Sequence, residues 1–190
     1  MDPHPVAGVV WYAIGRFYEA QDGSLQDLGY FAHLAGIEPL FKGPAHGEGS
    51  AFFTFRSEPF TARKFQNGDL SVSIDATGTF TLYLNREPCG DFSRPDTFSR
   101  GEPIATFQRL SSVVGTSVGP LGTNLFSAAL RSSTTFHFQG RSYNLERLLP
   151  HGITQLGVSS TTAMTPPPGF KTMTPFVGSA MAAGGSVRWP

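Results

Sequence analysis

From Val9 to Ala20 the run VVWYAIGRFYEA is rich in β-branched and aromatic residues and stops at Gln21-Asp22-Gly23, which predicts a first strand closed by a turn. Residues 24–38 instead place Leu25, Leu28, Phe31, Leu34 and Ala35 at three- and four-residue spacing behind a serine cap. That spacing predicts a short helix, weakened by Gly29 and Gly36. Residues 39–50 carry Gly43, Pro44, Gly47 and Gly49 and predict a loop long enough to lie over an opening.

Beyond it the alternation is cleaner. AFFTFRSEPF leads to Asn67-Gly68, a strong hairpin signal, after which Leu70, Val72 and Ile74 alternate with Ser71, Ser73 and Asp75. Ala76-Thr77-Gly78 turns the chain into TFTLYLN, where Phe80, Leu82 and Leu84 alternate with Thr79, Thr81 and Tyr83. Three successive antiparallel strands with one common buried face are expected here. Residues 86–103 lack periodicity and predict an ordered connection. IATFQRLSSVVG then predicts a strand with Ala105, Phe107 and Arg109 on one face, and SVGPLGTN a turn region. LFSAALRS, TTFHFQ and HGITQLGVSS predict further strands, with a short strand or helical turn at residues 143–149. After Ser160 three consecutive prolines and many small residues predict an extended tail over residues 161–190, docked through Phe170, Met173, Phe176 and Val177 against a domain of residues 1–160.

Composition supports a β reading: 17 Phe, 22 Gly and 15 Pro in 190 residues of which only 15% are charged suit short aromatic strands joined by tight turns. Fourteen basic and fourteen acidic side chains cancel, so the chain lacks the positive field that would attract nucleic acid or an anionic membrane. The single cysteine, Cys89, cannot form an internal disulfide and points to a reducing, cytoplasmic setting. No stretch is long and apolar enough for a spanning helix, and the N-terminus lacks the pattern of a signal peptide.

Strands at this spacing permit either a sandwich or a closed barrel. The preference for a barrel comes from a resemblance carried by Asn67-Gly68-Asp69-Leu70, FTLYLN, Gly90-Asp91-Phe92, Pro95-Asp96-Thr97-Phe98-Ser99 and Gly101-Glu102-Pro103-Ile104-Ala105. Across residues 50–157 the chain resembles bacterial and fungal proteins with an allene oxide cyclase-type barrel, the group that includes spirotetronate cyclases. The resemblance implies an all-β fold, a small closed antiparallel eight-stranded barrel with a short helix or lid loop. It also implies a lumen that takes up an apolar polyene or oxidised fatty acid and promotes its cyclisation without a cofactor. No family catalytic residue maps onto a numbered position of this sequence.

GxSxG, P-loop, GxGxxG and HExxH patterns are missing from the sequence. The five histidines are scattered at spacings unlike a metal site, so neither metal nor cofactor is expected. Asp91 and Asp96 read as turn caps, and Glu19, Glu58, Asp75 and Glu102 as solvated carboxylates. Cyclisation needs less: an apolar cavity that folds a flexible substrate, and one or two donors that polarise a carbonyl. With Phe80 and Leu82 inward, Phe53, Phe55, Phe107, Phe136 and Phe138 follow by phasing as ligand-lining or simply core-filling rings.

In the first strand the even phase (Tyr12, Ile14, Arg16) and the odd phase (Trp11, Ala13, Phe17) both suit an inner wall. Tyr12 and Arg16 are taken as inward, and with Arg109 they are the candidate catalytic donors. The resulting expectation is a cofactor-independent, ring-forming cyclase or isomerase of Diels–Alderase type. It would act on an apolar polyketide- or lipid-derived substrate of secondary metabolism. The alternatives are a carrier for an apolar small molecule and a structural or interaction protein, and a homodimer is compatible with each.

Overall fold

The computed structural model describes residues 8–67, 70–74, 77–110, 114–118, 120–160 and 162–183. Eight strands, β1 (Val9–Ala20), β2 (Leu25–Leu34), β3 (Phe53–Ser57), β6 (Thr79–Leu84), β7 (Glu102–Arg109), β9 (Leu121–Ser133), β12 (Ile153–Ser160) and β13 (Phe170–Ala182), pair antiparallel in a closed ring. Its order is β1-β2-β3-β6-β7-β9-β12-β13, and β13 returns to β1. β4 (Arg63–Asn67), β5 (Leu70–Ile74) and β8 (Val114–Val118) extend the sheet sideways from the first half of β9. β10 (Phe136–Phe138), β11 (Arg141–Tyr143) and the one-turn helix α1 (Leu145–Leu148) bury Phe136, Phe138 and Leu145 in the barrel core.

Several expectations change. Residues 25–34 form β2 and not a helix, because the strand is buried on both faces. Asp27 and Phe31 look into the barrel, while Leu28 and Tyr30 pack outside against Phe41, Phe92 and Phe98. Two-sided burial removes the period-two signal and leaves apolar residues at helical intervals. β4 and β5 pair with Asn67 opposite Leu70, but at the outer end of the sheet, away from the barrel. β6 pairs with β3 and β7, so β4, β5 and β6 are not one meander. The inward orientation expected for Leu70, Val72 and Ile74 lies outside the described side chains.

SVGPLGTN is mostly strand, split between β8 and β9. The expected extended tail is in part a strand of the barrel itself, so the barrel does not end at residue 160. As β13 it pairs with β1 along its length and with β12 over residues 176–182. Pro175 stands just beyond the last β12 pair, where a missing N–H leaves no ladder partner wanting.

Glycines thin one wall of the barrel. A Cβ at Gly15 would lie 2.4 Å from the Phe176 ring, and one at Gly178 2.9 Å from the Gln155 amide nitrogen. The absent side chains let Phe176 and Gln155 fold flat across the sheet. The opposite wall, β3, β6 and β7, supplies the large inward residues Phe53, Phe55, Phe80, Leu82, Leu84 and Phe107.

Candidate functional site

The rings nearly fill the lumen. Phe80 stacks on Phe107 at 5.2 Å, Trp11 meets Phe107 edge-on at 5.6 Å, and Phe53 meets Phe138 at 5.0 Å. One small cavity among the described residues, about 10 Å³, is bounded by Trp11, Phe31, Phe55, Phe80, Phe126 and three polar side chains, Asp27, Arg109 and Gln155. A space of that size holds one water-sized group.

β7 carries Arg109 inward in phase with Ala105 and Phe107, and the residue is only 4% exposed. Its Nη2 donates to both Asp27 carboxylate oxygens, at 2.8 and 2.9 Å. The guanidinium also lies over the rings of Phe60, Phe126 and Phe80, at 4.7, 5.3 and 5.5 Å. Asp27 is fixed in turn, because its backbone N–H donates to Ser57 Oγ at 2.9 Å. Three ring faces and one carboxylate compensate a desolvated cation that would otherwise be prohibitive in an apolar barrel. Arg109 Nη1 nevertheless has no hydrogen-bond partner. A buried donor left unmade costs stability, so it marks a place where an acceptor is wanted. On the opposite wall Trp11 Nε1 donates to Gln155 Oε1 at 3.0 Å, which fixes both side chains.

The other two candidate donors are not here. β1 turns Trp11 and Ala13 to the lumen, so Tyr12 and Arg16 face outward, opposite to the expected phase. Tyr12 is 38% exposed. Arg16 stacks at 4.3 Å on Phe92 and donates to its neighbour's carbonyl, in an outer layer where Tyr18 donates to the Phe92 carbonyl at 2.9 Å. Burial there pushes the Tyr18 hydroxyl well above its ordinary pKa. Both phases of β1 carry large side chains because the outer face is also covered in the second half of the strand, where Ile14 and Tyr18 join the outer cluster.

Of the expected lining residues, Phe55 and Phe80 bound the cavity and Phe107 supports them. Phe53, Leu82, Phe136 and Phe138 are packed core away from it. Sequence reasoning missed Asp27, Gln155, Trp11, Phe126 and Phe60. Asp27 is legible once residues 25–31 are read as a strand, since Asp27, Gly29 and Phe31 alternate inward. Gln155 likewise shares the inner phase of Ile153 and Gly157.

Of the two acids expected as turn caps, Asp91 behaves so, while the Asp96 side chain forms an ion pair across to β3 instead. Asp91 accepts from the Ser93 N–H and hydroxyl and from Arg94 Nε, which holds its pKa down at about 2. Asp96 accepts from Arg56 at 2.7 Å. Among the described residues no helix is long and apolar enough to cross a membrane, and no group of three or more His, Cys, Asp or Glu side chains is arranged to hold a metal. Compared with family models, curated proteins and solved structures, the chain matches none of them, so its architecture, a closed eight-stranded antiparallel barrel with an Arg–Asp pair in an aromatic lumen, is what classifies it.

Proposed function

We propose that the barrel binds an apolar, unsaturated small molecule through one neutral carbonyl oxygen seated on Arg109 Nη1, and that it closes a ring on that ligand without a cofactor. The observation that carries this reading is the unpartnered, buried Nη1 on an aromatic-walled cavity. Arg109 and Asp27 together are neutral. A carbonyl therefore gains the free donor without penalty, whereas a carboxylate would bring a second anion toward Asp27 in a medium of low dielectric. A hydrogen bond at the carbonyl lowers the energy of a conjugated acceptor and settles negative charge that develops on its oxygen. Intramolecular cycloaddition exchanges π bonds for ring σ bonds and loses no atom, so positioning supplies most of what is needed.

The preformed space takes the carbonyl oxygen, and the apolar remainder displaces rings. Phe60 is the natural one to move. It sits on the connection between β3 and β4, with its edge on Phe17 at 5.8 Å and its face under Arg109. The same aromatic-walled site also suits a carrier that holds the ligand unchanged, while the tightness of the lumen favours the third reading, a structural or interaction protein. A reducing, cytoplasmic setting suits either, given the lone Cys89.

The test is a Trp11 fluorescence titration in a Trp189→Phe background with a polyene ketone and the matching polyene acid. Saturable quenching by the ketone, about tenfold or more weaker for the acid and lost in Arg109→Met, is the expected result. Equal or tighter acid binding, or no quenching by either, overturns it. Chromatography of the recovered ketone separates the readings, since a cyclase returns an isomer of the same mass and a carrier returns the ketone.

A further inference from the structure

The outer faces of β9, β12, β13 and β1 form one surface whose middle row runs Leu125, Leu156, Ser179, Tyr12 across directly paired strands. Leu125 and Leu156 are each 50% exposed. Met181 and Val9 flank that row on one side, Val158 and Val177 on the other. Neither the middle row nor the outward row on either side of it contains a charged residue. In a chain with twenty-eight Lys, Arg, Asp and Glu side chains, such a face on an antiparallel sheet needs a physical reason.

We propose that this face is the interface of a homodimer, with a second copy of the chain packed sheet against sheet across a two-fold axis. The proposal is independent of what the lumen binds. Three features favour a second copy over another occupant. First, the face is complementary to itself. Its leucines stand at the β9–β12 side and Tyr12, Val9 and Met181 at the β1 side, with the small Ser179 between. A two-fold parallel to the strands and lying between Leu156 and Ser179 sets Leu125 of one copy on Tyr12 of the other and Leu156 on Ser179, and the reverse.

Second, the chain's formal charge is zero and the face bears none, so two copies meet without net repulsion, while a charged peptide or nucleic acid gains nothing there. Third, the area fits. Three rows on four strands measure about 20 Å by about 19 Å from strand rise and spacing. With side-chain relief, two copies bury about 1,000 to 1,200 Å², the lower end of specific interfaces, which makes a dimer that dissociates on dilution. The same strands turn Trp11, Phe126 and Gln155 inward, so Trp11 emission reports whether a surface variant keeps its fold.

Sedimentation velocity of the full chain over a concentration series tests this. Wild type should pass from monomer to dimer as concentration rises. Leu156→Glu should weaken the dimer about a hundredfold or abolish it, as a charge at the centre of a desolvated patch does. Leu125→Glu, on the neighbouring strand, should act alike, while Met164→Glu, exposed but bridged to Met173 at the far end of β13 from the face, should leave the dimer intact. A wild type that stays monomeric throughout, whatever else covers the face, overturns the proposal. So does a dimer indifferent to both face variants, one broken by Met164→Glu, or a monomer that binds neutral phosphatidylcholine vesicles instead.

Discussion

The two ends of the barrel lumen use the same aromatic side chains for different purposes. At one end Phe52, Phe53, Phe136 and Phe138 interlock at ring distances of 5.0 to 6.1 Å, backed by Leu145, Leu149 and Ile153, and the cluster is apolar throughout. At the other, Phe60, Phe80 and Phe126 present their faces to a buried guanidinium that is paired with Asp27 and keeps one donor free. In the first case rings touch rings and the gain is burial. In the second they stabilise a charge that a core built only for stability would exclude. The comparison separates what holds the barrel shut from what equips it for a ligand.

Truncation at the closed end should have the largest effect. Phe136→Ala is expected to cost about 3 to 5 kcal/mol in urea denaturation, because a sealed site there cannot collapse. It should leave the preference for ketone over acid unchanged. Phe60→Ala should cost less, since Phe60 belongs to a small satellite cluster with Leu25 and Phe17 on a connecting segment and not to the main core. Equal losses would mean that the two ends are one uniform core.

Breaking the ion pair comes next and divides stability from function. Asp27→Ala leaves Arg109 uncompensated and should cost about 3 kcal/mol or more, whereas the double change Asp27→Leu with Arg109→Leu should return within about 1 kcal/mol of wild type. The double variant should fold and no longer distinguish ketone from acid. If the double change is as destabilising as the single one, the pair is structural and the functional contrast between the ends fails.

The smallest effect lies outside both ends, at Asp91. Its carboxylate is held down first by the Ser93 hydroxyl and then by Arg94, so it contributes stability that is present above the ordinary carboxylate range and lost as pH falls through about 2. Partly exposed, it should be worth under about 1 kcal/mol. Thermal melts of wild type and Asp91→Asn should therefore differ slightly at neutral pH and converge near pH 2, with the ligand preference unchanged. A constant difference down to that pH would show that the carboxylate's charge is irrelevant.

Much of the wall was legible from the chain alone. The bounds of β1, the alternation of β6 and the phase that sends Arg109 inward beside Phe107 follow from period-two patterning, because each of β6 and β7 has one face in the lumen and one better hydrated. β2 was illegible since an outer layer of loops covers its second face. β13 was illegible since its inner positions are small or flexible, Gly178 and Ala180 among them, chosen to make room for Gln155 and Phe176 and not to signal a strand. The candidate site divides the same way. The sequence by itself determined that residues 102–109 present Arg109 with an aromatic face. Only the tertiary structure decided that Asp27, 82 residues away, meets it, and that Trp11 rather than Tyr12 looks inward. The physical reason is that periodicity shows that a strand has two different faces, while closure of the barrel and the loops packed outside it determine which face is the inner one and which distant charge completes the site.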